Sequence, residues 1–409
     1  MIPHAHLRAS ANPSYDEDLR AALCGEGPLW AERLMAALAS APGLLGETAI
    51  ERPEREGWSL VAERIVEAAR THPHRDRIRL AAFARGAAER IFPPAARSAG
   101  AGRLARWLGH SAGYAPDALE PAVALARYAD LPSLEFVSSL NPPPEKLLRE
   151  ASLEVDTRDL AALAAIFGRA SAPARFEDAC RRAGCWGKPV EPPPLPEGTP
   201  ARLRRIALAA MLAGACETEE EVAALMRSVP SERGGCLIAT VGIPGSGKTT
   251  WLDRHLGAEL IVSMDRMRSI ALGDASDQTQ NELIYRQSLT ALARALERGK
   301  RVVFDATSYD RERRESLRSL AQRAGAHLIM LYFDVSLDEA FRRNARRARK
   351  VPSEVVRRAY RQLEPPRPDE ADAVLLISPS WDRPRHWVFG RKRWVWEATP
   401  VDDVRSVIG

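Results

Sequence analysis

The run Gly242-Ile243-Pro244-Gly245-Ser246-Gly247-Lys248-Thr249 has the spacing G-x-x-x-x-G-K-[ST]. Glycines at these intervals let successive backbone N–H groups turn inward around phosphate oxygens, and a helix that starts near Lys248 adds the partial positive charge of its N-terminus. Lys248 then reaches the β and γ oxygens of a nucleoside triphosphate, and Thr249 is placed to ligate magnesium. Gly242, Gly245, Ser246, Gly247, Lys248, Thr249 and Thr250 are the candidate nucleotide-binding residues. The apolar run CLIATV (236–241) before the loop and the helical pattern after it supply the strand-then-helix setting that this chemistry needs.

Binding becomes transfer when a second set of groups handles the acceptor. Asp265 follows the next apolar run, ELIVS (259–263), and a carboxylate at that edge can take the proton of an acceptor hydroxyl and orient its oxygen. Arg268, one helical turn on, shares its face and suits an acceptor phosphate; an N-cap Asp with a surface Arg is the bland reading of the pair. Asp305 closes a third run, RVVFD (301–305), and is expected to orient acceptor or metal-bound water, unless it is only a cap. Further on, the segment Phe341 to Pro352 is dense in arginine. Arg343 and Arg347 fall at i and i+4, where two guanidinium groups on one face of a lid helix can close over the β and γ phosphates. Without the upstream loop the same run would read as a solvated basic helix.

These groups need a frame. After Gly234-Gly235, short apolar runs alternate with helical patterns: CLIATV, ELIVS, RVVFD and HLIMLYF (327–333), with helices at about 248–256, 279–298, 310–324 and 337–349. Such alternation implies right-handed crossovers and a parallel sheet covered on both faces, with ligands at the carboxyl ends of the strands. The expected fold is therefore an α/β phosphate-loop kinase domain over 236–380, with an Arg-rich lid at about 337–363. A mainly α-helical domain over 1–187 precedes it. In that front domain LWAERLMAALAS (29–40), WSLVAERIVEAAR (58–70) and IRLAAFARGAAERIF (78–92) repeat apolar residues at helical spacing. Pro93-Pro94, Gly100-Ala101-Gly102 and Pro142–Pro144 are read as breaks between helical blocks. KPVEPPPLPEGTP (188–200) reads as a semi-rigid linker, and 201–235 as a helical bridge in which Thr218 and Glu221 match a capping box. Residues 381–409 read as a β-hairpin and tail: HWVFGRKRWVWEA turns at Gly390, with Trp387 and Phe389, or Trp394 and Trp396, on common faces.

The composition sets limits on function. With 45% apolar and 28% charged residues among 409, the chain reads as globular and helix-rich rather than disordered. No apolar run is long enough for a membrane span, and the first residues lack a signal peptide's apolar core, so a cytoplasmic protein without a membrane partner is expected. The five cysteines are scattered, which argues against a disulfide framework or zinc knuckle. Residues 236–409 carry 30 Lys and Arg against 23 Asp and Glu, whereas the rest of the chain is slightly acidic. That asymmetry favours a polyanionic partner for the back half. In the front half, Asp16-Glu17-Asp18 lacks the setting of an aspartyl phosphatase, and His72-Pro73-His74 reads as a loop.

Taken together, the loop GIPGSGKTT, the D-x-x-R of Asp265 and Arg268, FDAT at 304–307, RRNARR, and VPSEVVRRAYRQLEPP at 351–366 resemble the P-loop polynucleotide 5′-hydroxyl kinases of end healing and RNA repair. The resemblance covers about 236–365, a third of the chain. It implies ATP and Mg2+ as cofactors and a nucleic acid with a 5′-hydroxyl end as partner. Lys248 and Thr249 would bind phosphate and magnesium, Asp265 would be the general base, Arg268 would grip the acceptor's phosphate, and Arg343 and Arg347 would clamp ATP. Ser308 stands where that family usually has Asn, and Tyr309 where it has an apolar residue. Kinases of small metabolites or nucleotide sugars share the loop and the following aspartate, and a nucleotide-dependent switch shares the loop alone. The helical front domain is expected to select the substrate or a protein partner.

Overall fold

Residues CLIATV are buried along their whole length, as a strand in the middle of a covered parallel sheet must be. This strand, β1 (Cys236–Val241), is flanked by β3 (Arg301–Asp305) and β4 (His327–Phe333); β2 (Leu260–Ser263) lies outside β3, and β5 (Ala373–Ile377) outside β4. All five run parallel. The computed structural model describes residues 72–378 except 92–96, 112–113, 115, 133–143, 168–171, 189, 191–200, 213–214, 217, 229–234, 258, 273–279 and 368, together with the backbone of 385–389 and 394–397. The helices expected at 29–40 and 58–70, the breaks at Pro93-Pro94 and at 142–143, residues 191–200 of the linker, and Gly390 lie outside the described residues.

The chain divides into two units, Met1–Glu191 with Gly390–Arg393 and Pro192–Phe389 with Trp394–Gly409. In the first, the described residues are helical: α1 (Arg75–Ile91), α2 (Arg97–Ser111), α3 (Pro116–Arg127), α4 (Pro144–Glu154), α5 (Thr157–Ile166) and α6 (Ala172–Arg182). Leu80, Phe83, Leu104, Leu108 and Leu119 form its interior. Gly100-Ala101-Gly102 is not a break but the first turns of α2. A Cβ at Gly102 would meet the Cβ of Arg127 at 3.4 Å and the carbonyl of Val123 at 3.6 Å, ordinary contact distances, so α2 packs beside α3 at this point. Between those helices Arg106 and Glu120 form a buried two-pronged ion pair, both bonds 2.8 Å.

His72 and His74 gather on the buried carboxylate of Asp159. Arg77 also donates to that carboxylate, and the His72 Nδ1 accepts the backbone N–H of His74. The three side chains thus form one polar cluster around a buried carboxylate, with one ring nitrogen of His72 taken up by the backbone.

In the second unit, α7 (Ala201–Leu212) and α8 (Glu219–Ser228) come first. The Thr218 and Glu221 box is formed: Thr218 N–H donates to the Glu221 carboxylate at 3.0 Å and Glu221 N–H to the Thr218 hydroxyl at 3.2 Å. The sheet is then wrapped on both faces. Ile284, Leu292 and Leu296 of α11 (Asn281–Glu297) and Leu317 and Leu320 of α12 (Arg311–Ala324) close one face. Leu252 of α9 (Lys248–His255), with Leu256 just beyond it, closes the other. The remaining helices are α10 (Met264–Leu272), α13 (Leu337–Ala345) and α14 (Ser353–Gln362). The hairpin of β6 (Arg385–Phe389) and β7 (Trp394–Glu397) continues the same sheet, β6 pairing antiparallel with β5. Among the described residues no helix is long and apolar enough to cross a membrane, and Cys180, Cys185, Cys216 and Cys236 are buried free thiols.

Candidate active site

Parallel strands deliver their carboxyl ends to one edge, and there the second unit opens a cavity of about 1040 Å3. That is at the top of the range for a single small-molecule pocket and leaves room for a nucleotide with a second reactant. The phosphate loop forms one wall. Gly245 and Gly247 take φ of +86° and +95°, values that side chains rarely tolerate. A Cβ at Gly245 would also lie 2.5 Å from the carbonyl of Ala340, because α13 packs directly on the loop.

Lys248 spans the loop from inside. Its ammonium donates to the carbonyls of Gly242 (2.8 Å) and Ile243 (2.9 Å). Burial lowers its pKa to about 8, with Asp305 and Asp265 opposing that shift and Arg347 adding to it. Thr249 and Thr250 stand exposed at the start of α9.

The end of β3 is tied to β1: the Thr240 hydroxyl donates to the Ala306 carbonyl (2.7 Å) and accepts its N–H (3.1 Å). Gly242 N–H donates to the Thr307 carbonyl (3.0 Å). Asp305 is thereby held against the loop, where its carboxylate accepts the Thr249 hydroxyl at 3.2 Å. Burial raises its pKa, against the pull of Lys248 and Thr249. A hydroxyl and a carboxylate at this separation, beside a phosphate site, form the hard oxygen donor set that magnesium prefers. The geometry puts Asp305 at the phosphate end of the cavity beside Thr249, which suits the metal-water role among those expected of it.

Asp265 opens α10 with its side chain 63% exposed, paired with Arg268, which is 12% exposed. Arg268 also donates to Asn281 on α11 at 3.0 Å. On the far side, Arg343 donates to the Ser246 carbonyl (3.0 Å) and to Glu339 (2.5 Å). Arg343 and Arg347 do not share a helix face, since α13 ends at Ala345. The cause is Asn344, whose buried amide donates to the Val351 carbonyl (2.7 Å) and accepts its N–H (3.0 Å), folding 345–350 into a closed loop before Pro352. That loop aims Arg346, Arg347, Arg349 and Lys350 at the cavity. The arginine density signalled this cluster, but the helical spacing gave the wrong geometry for it. Asn281, Tyr285, Tyr309, Arg313 and Arg358 also line the cavity and carry no motif.

Residues 237–366 match the AAA_33 family model, described as an AAA domain. The L-seryl-tRNA(Sec) kinase of Methanococcus maripaludis is 24% identical over 137 residues, covering 32% of this chain. The second unit contains a P-loop kinase domain. The chain spans 53% of that curated relative. Similar solved structures include a gluconokinase from Sinorhizobium meliloti 1021 (20% identity, 37% of this chain and 85% of that one, TM-score 0.27). Another is the Pnkp1/Rnl/Hen1 RNA repair complex (22% identity, 34% of this chain and 46% of that one, TM-score 0.28).

Proposed function

We propose that the protein transfers the γ-phosphate of ATP to a hydroxyl borne on a nucleic acid, the 5′-hydroxyl of an RNA or DNA end. The observation that carries this reading is the Asp265 and Arg268 pair, anchored by Asn281 and lining the same cavity as the phosphate loop. A carboxylate and an anion-binding guanidinium one helical turn apart suit an acceptor that presents a hydroxyl and a neighbouring phosphodiester together.

In the transfer, the acceptor oxygen bonds to the γ-phosphorus as the bond to the β,γ-bridging oxygen breaks. ADP leaves, and the hydroxyl proton passes to Asp265. Lys248 holds the β and γ oxygens, and Arg343 and Arg347 balance charge that spreads over the transferring group. Magnesium, held near Thr249 and Asp305, would neutralise phosphate charge.

A second reading, in which the hydroxyl is the seryl hydroxyl of an aminoacyl-tRNA, is favoured by the name of the M. maripaludis relative. The test is transfer of label from γ-labelled ATP, with magnesium, to 5′-hydroxyl RNA and DNA oligonucleotides and to seryl-tRNA, with Lys248→Ala and Asp265→Ala as controls. Label on an oligonucleotide with wild-type protein alone supports the first reading. Label on seryl-tRNA alone selects the second, and label on neither overturns both.

A further inference from the structure

We infer that Tyr309 and Arg313, backed by Tyr285, form a stacking site for the base of the acceptor's terminal nucleotide, so that the preferred substrate is an end whose nucleobase is intact. The inference rests on the polynucleotide reading above and adds the part of the acceptor that is recognised.

The site is continuous with Asp265. Arg268 bridges Asp265 and Asn281. Tyr285 lies four residues beyond Asn281 on α11, on the same face and about 6 Å along the axis. The guanidinium of Arg313 lies 5.6 Å from the centroid of the Tyr285 ring and 5.5 Å from that of Tyr309, within reach of a cation–π contact with each. All three side chains line the cavity.

Two features favour a planar ring over a phosphate as the ligand. Arg313 is already engaged by the Asp310 carboxylate at 3.3 Å, so its charge is partly met. What it offers is its flat face, which stacks well on rings. Tyr309, half-buried and lining the cavity, is then the ring left for a ligand. Tyr285 packs on the sheet's core and donates its hydroxyl to the Arg313 carbonyl at 3.1 Å, whereas Tyr309 has no place in that core.

The backbone is shaped to hold Tyr309 there. Ser308, before it, takes φ of +41°, the one positive value at a non-glycine position among the described residues. Such a conformation persists only where its surroundings enforce it, and it points to a functional cause. Here the enforcement comes from Arg314, buried and donating to the carbonyls of Ser308 (3.2 Å) and Tyr309 (3.3 Å). Glu364 N–H holds the Tyr309 carbonyl at 2.8 Å. Small sugar or polyol acceptors have no flat ring for such a wall, whereas every nucleobase has one.

The experiment compares kcat/KM for a 5′-hydroxyl oligonucleotide with that for the same strand carrying an abasic 5′-terminal residue, using wild type, Tyr309→Phe and Tyr309→Leu. In parallel, a 5′-terminal 2-aminopurine reports stacking through fluorescence quenching. Wild type and Tyr309→Phe are expected to favour the base-bearing end by about tenfold or more, mainly in KM, as one stacked base allows. Tyr309→Leu is expected to make the two ends equal and to abolish the quench, while its ATP affinity and melting temperature stay near wild type. Equal use of both ends by wild type, or a preference that survives in Tyr309→Leu, overturns the inference and leaves the polynucleotide reading standing. If no oligonucleotide is phosphorylated, that reading fails and the quench decides the stack alone: lost in Tyr309→Leu it supports the site, absent in wild type it refutes it.

Discussion

At one end of the cavity the groups facing a ligand are built around a single loop, Gly242 to Thr249, clasped by Lys248, with Asp305 beside it and Arg343 over it. At the other end they are side chains from four segments: Asp265 and Arg268 on α10, Asn281 and Tyr285 on α11, Tyr309 after β3, and Arg313 on α12. A loop of backbone donors fits any triphosphate and needs only glycines at fixed intervals. A wall of side chains can be changed residue by residue without disturbing the loop. Generality therefore resides in the loop and specificity in the wall, and the two ends should be open to separate damage.

The sharpest separation is expected from Asp265→Asn. The side chain keeps its shape and loses its basicity, so kcat for transfer should fall by about 10³-fold, within the span typical of general-base removal. The dissociation constant for ATP, read by titration calorimetry, should stay within about twofold. A parallel loss of ATP affinity would mean that the two ends are one site.

Arg314→Met attacks the scaffold of the Asp265 end. Arg314 is 1% exposed and bonds Glu370 at 2.6 and 3.1 Å, besides the carbonyls of Ser308, Tyr309 and Glu364. Leaving Glu370 buried without its partner should cost about 3–5 kcal/mol of stability, read from denaturant midpoints. Adding Glu370→Leu should recover much of this loss, since an apolar pair avoids the stranded charge. The double variant should still bind ATP but show a raised acceptor KM, because the turn that aims Tyr309 has lost its anchor.

The same contrast governs what could be read in the sequence. The phosphate loop was legible because its chemistry depends on neighbours in the chain, and β1, β3 and β4 because buried parallel strands are continuous apolar runs. The fifth strand, AVLLI, was missed: it is five residues long and directly follows the acidic turn Asp369 to Asp372. Gly100 and Gly102 read as breaks because glycine is poor in helices, yet both lie within α2, whose packing against its neighbours overrides that local preference. The lid failed differently, since Asn344 closes on Val351 and overrides the i,i+4 spacing of Arg343 and Arg347. The acceptor wall was illegible for a topological reason: Arg268 meets Asn281 thirteen residues away and Arg314 meets Glu370 fifty-six away, separations that no local pattern records.

Gly245→Ala tests the loop end by itself. The added Cβ meets the Ala340 carbonyl at 2.5 Å and the backbone sits at φ +86°, so either α13 or the loop must move. ATP affinity should fall by roughly tenfold, with about 1–3 kcal/mol lost from stability. Stacking of a 2-aminopurine end should persist. If α13 transmits the damage to the Tyr309 wall, the quench will fall as well, and the separation drawn above is too simple.

The smallest effect concerns protons on Lys248. Its folded pKa of about 8 lies below the ordinary lysine value of 10.5, so between those pH values the unfolded chain binds more protons than the folded one. This group's penalty on the ligand-free fold is therefore full below pH 8 and is relieved as pH rises toward 10.5. A bound triphosphate reverses the balance, because its negative charge favours the ammonium. ATP affinity should hold up to about pH 8 and then decline, by no more than about tenfold per pH unit. Calorimetry at pH 9 in buffers of different ionisation heat should show uptake of roughly one proton per ATP bound. Lys248→Arg, which stays charged throughout, should remove both the decline and the uptake. If the proton uptake persists in that variant, another group titrates at the loop, and the next to examine is Asp305, the nearest buried acid.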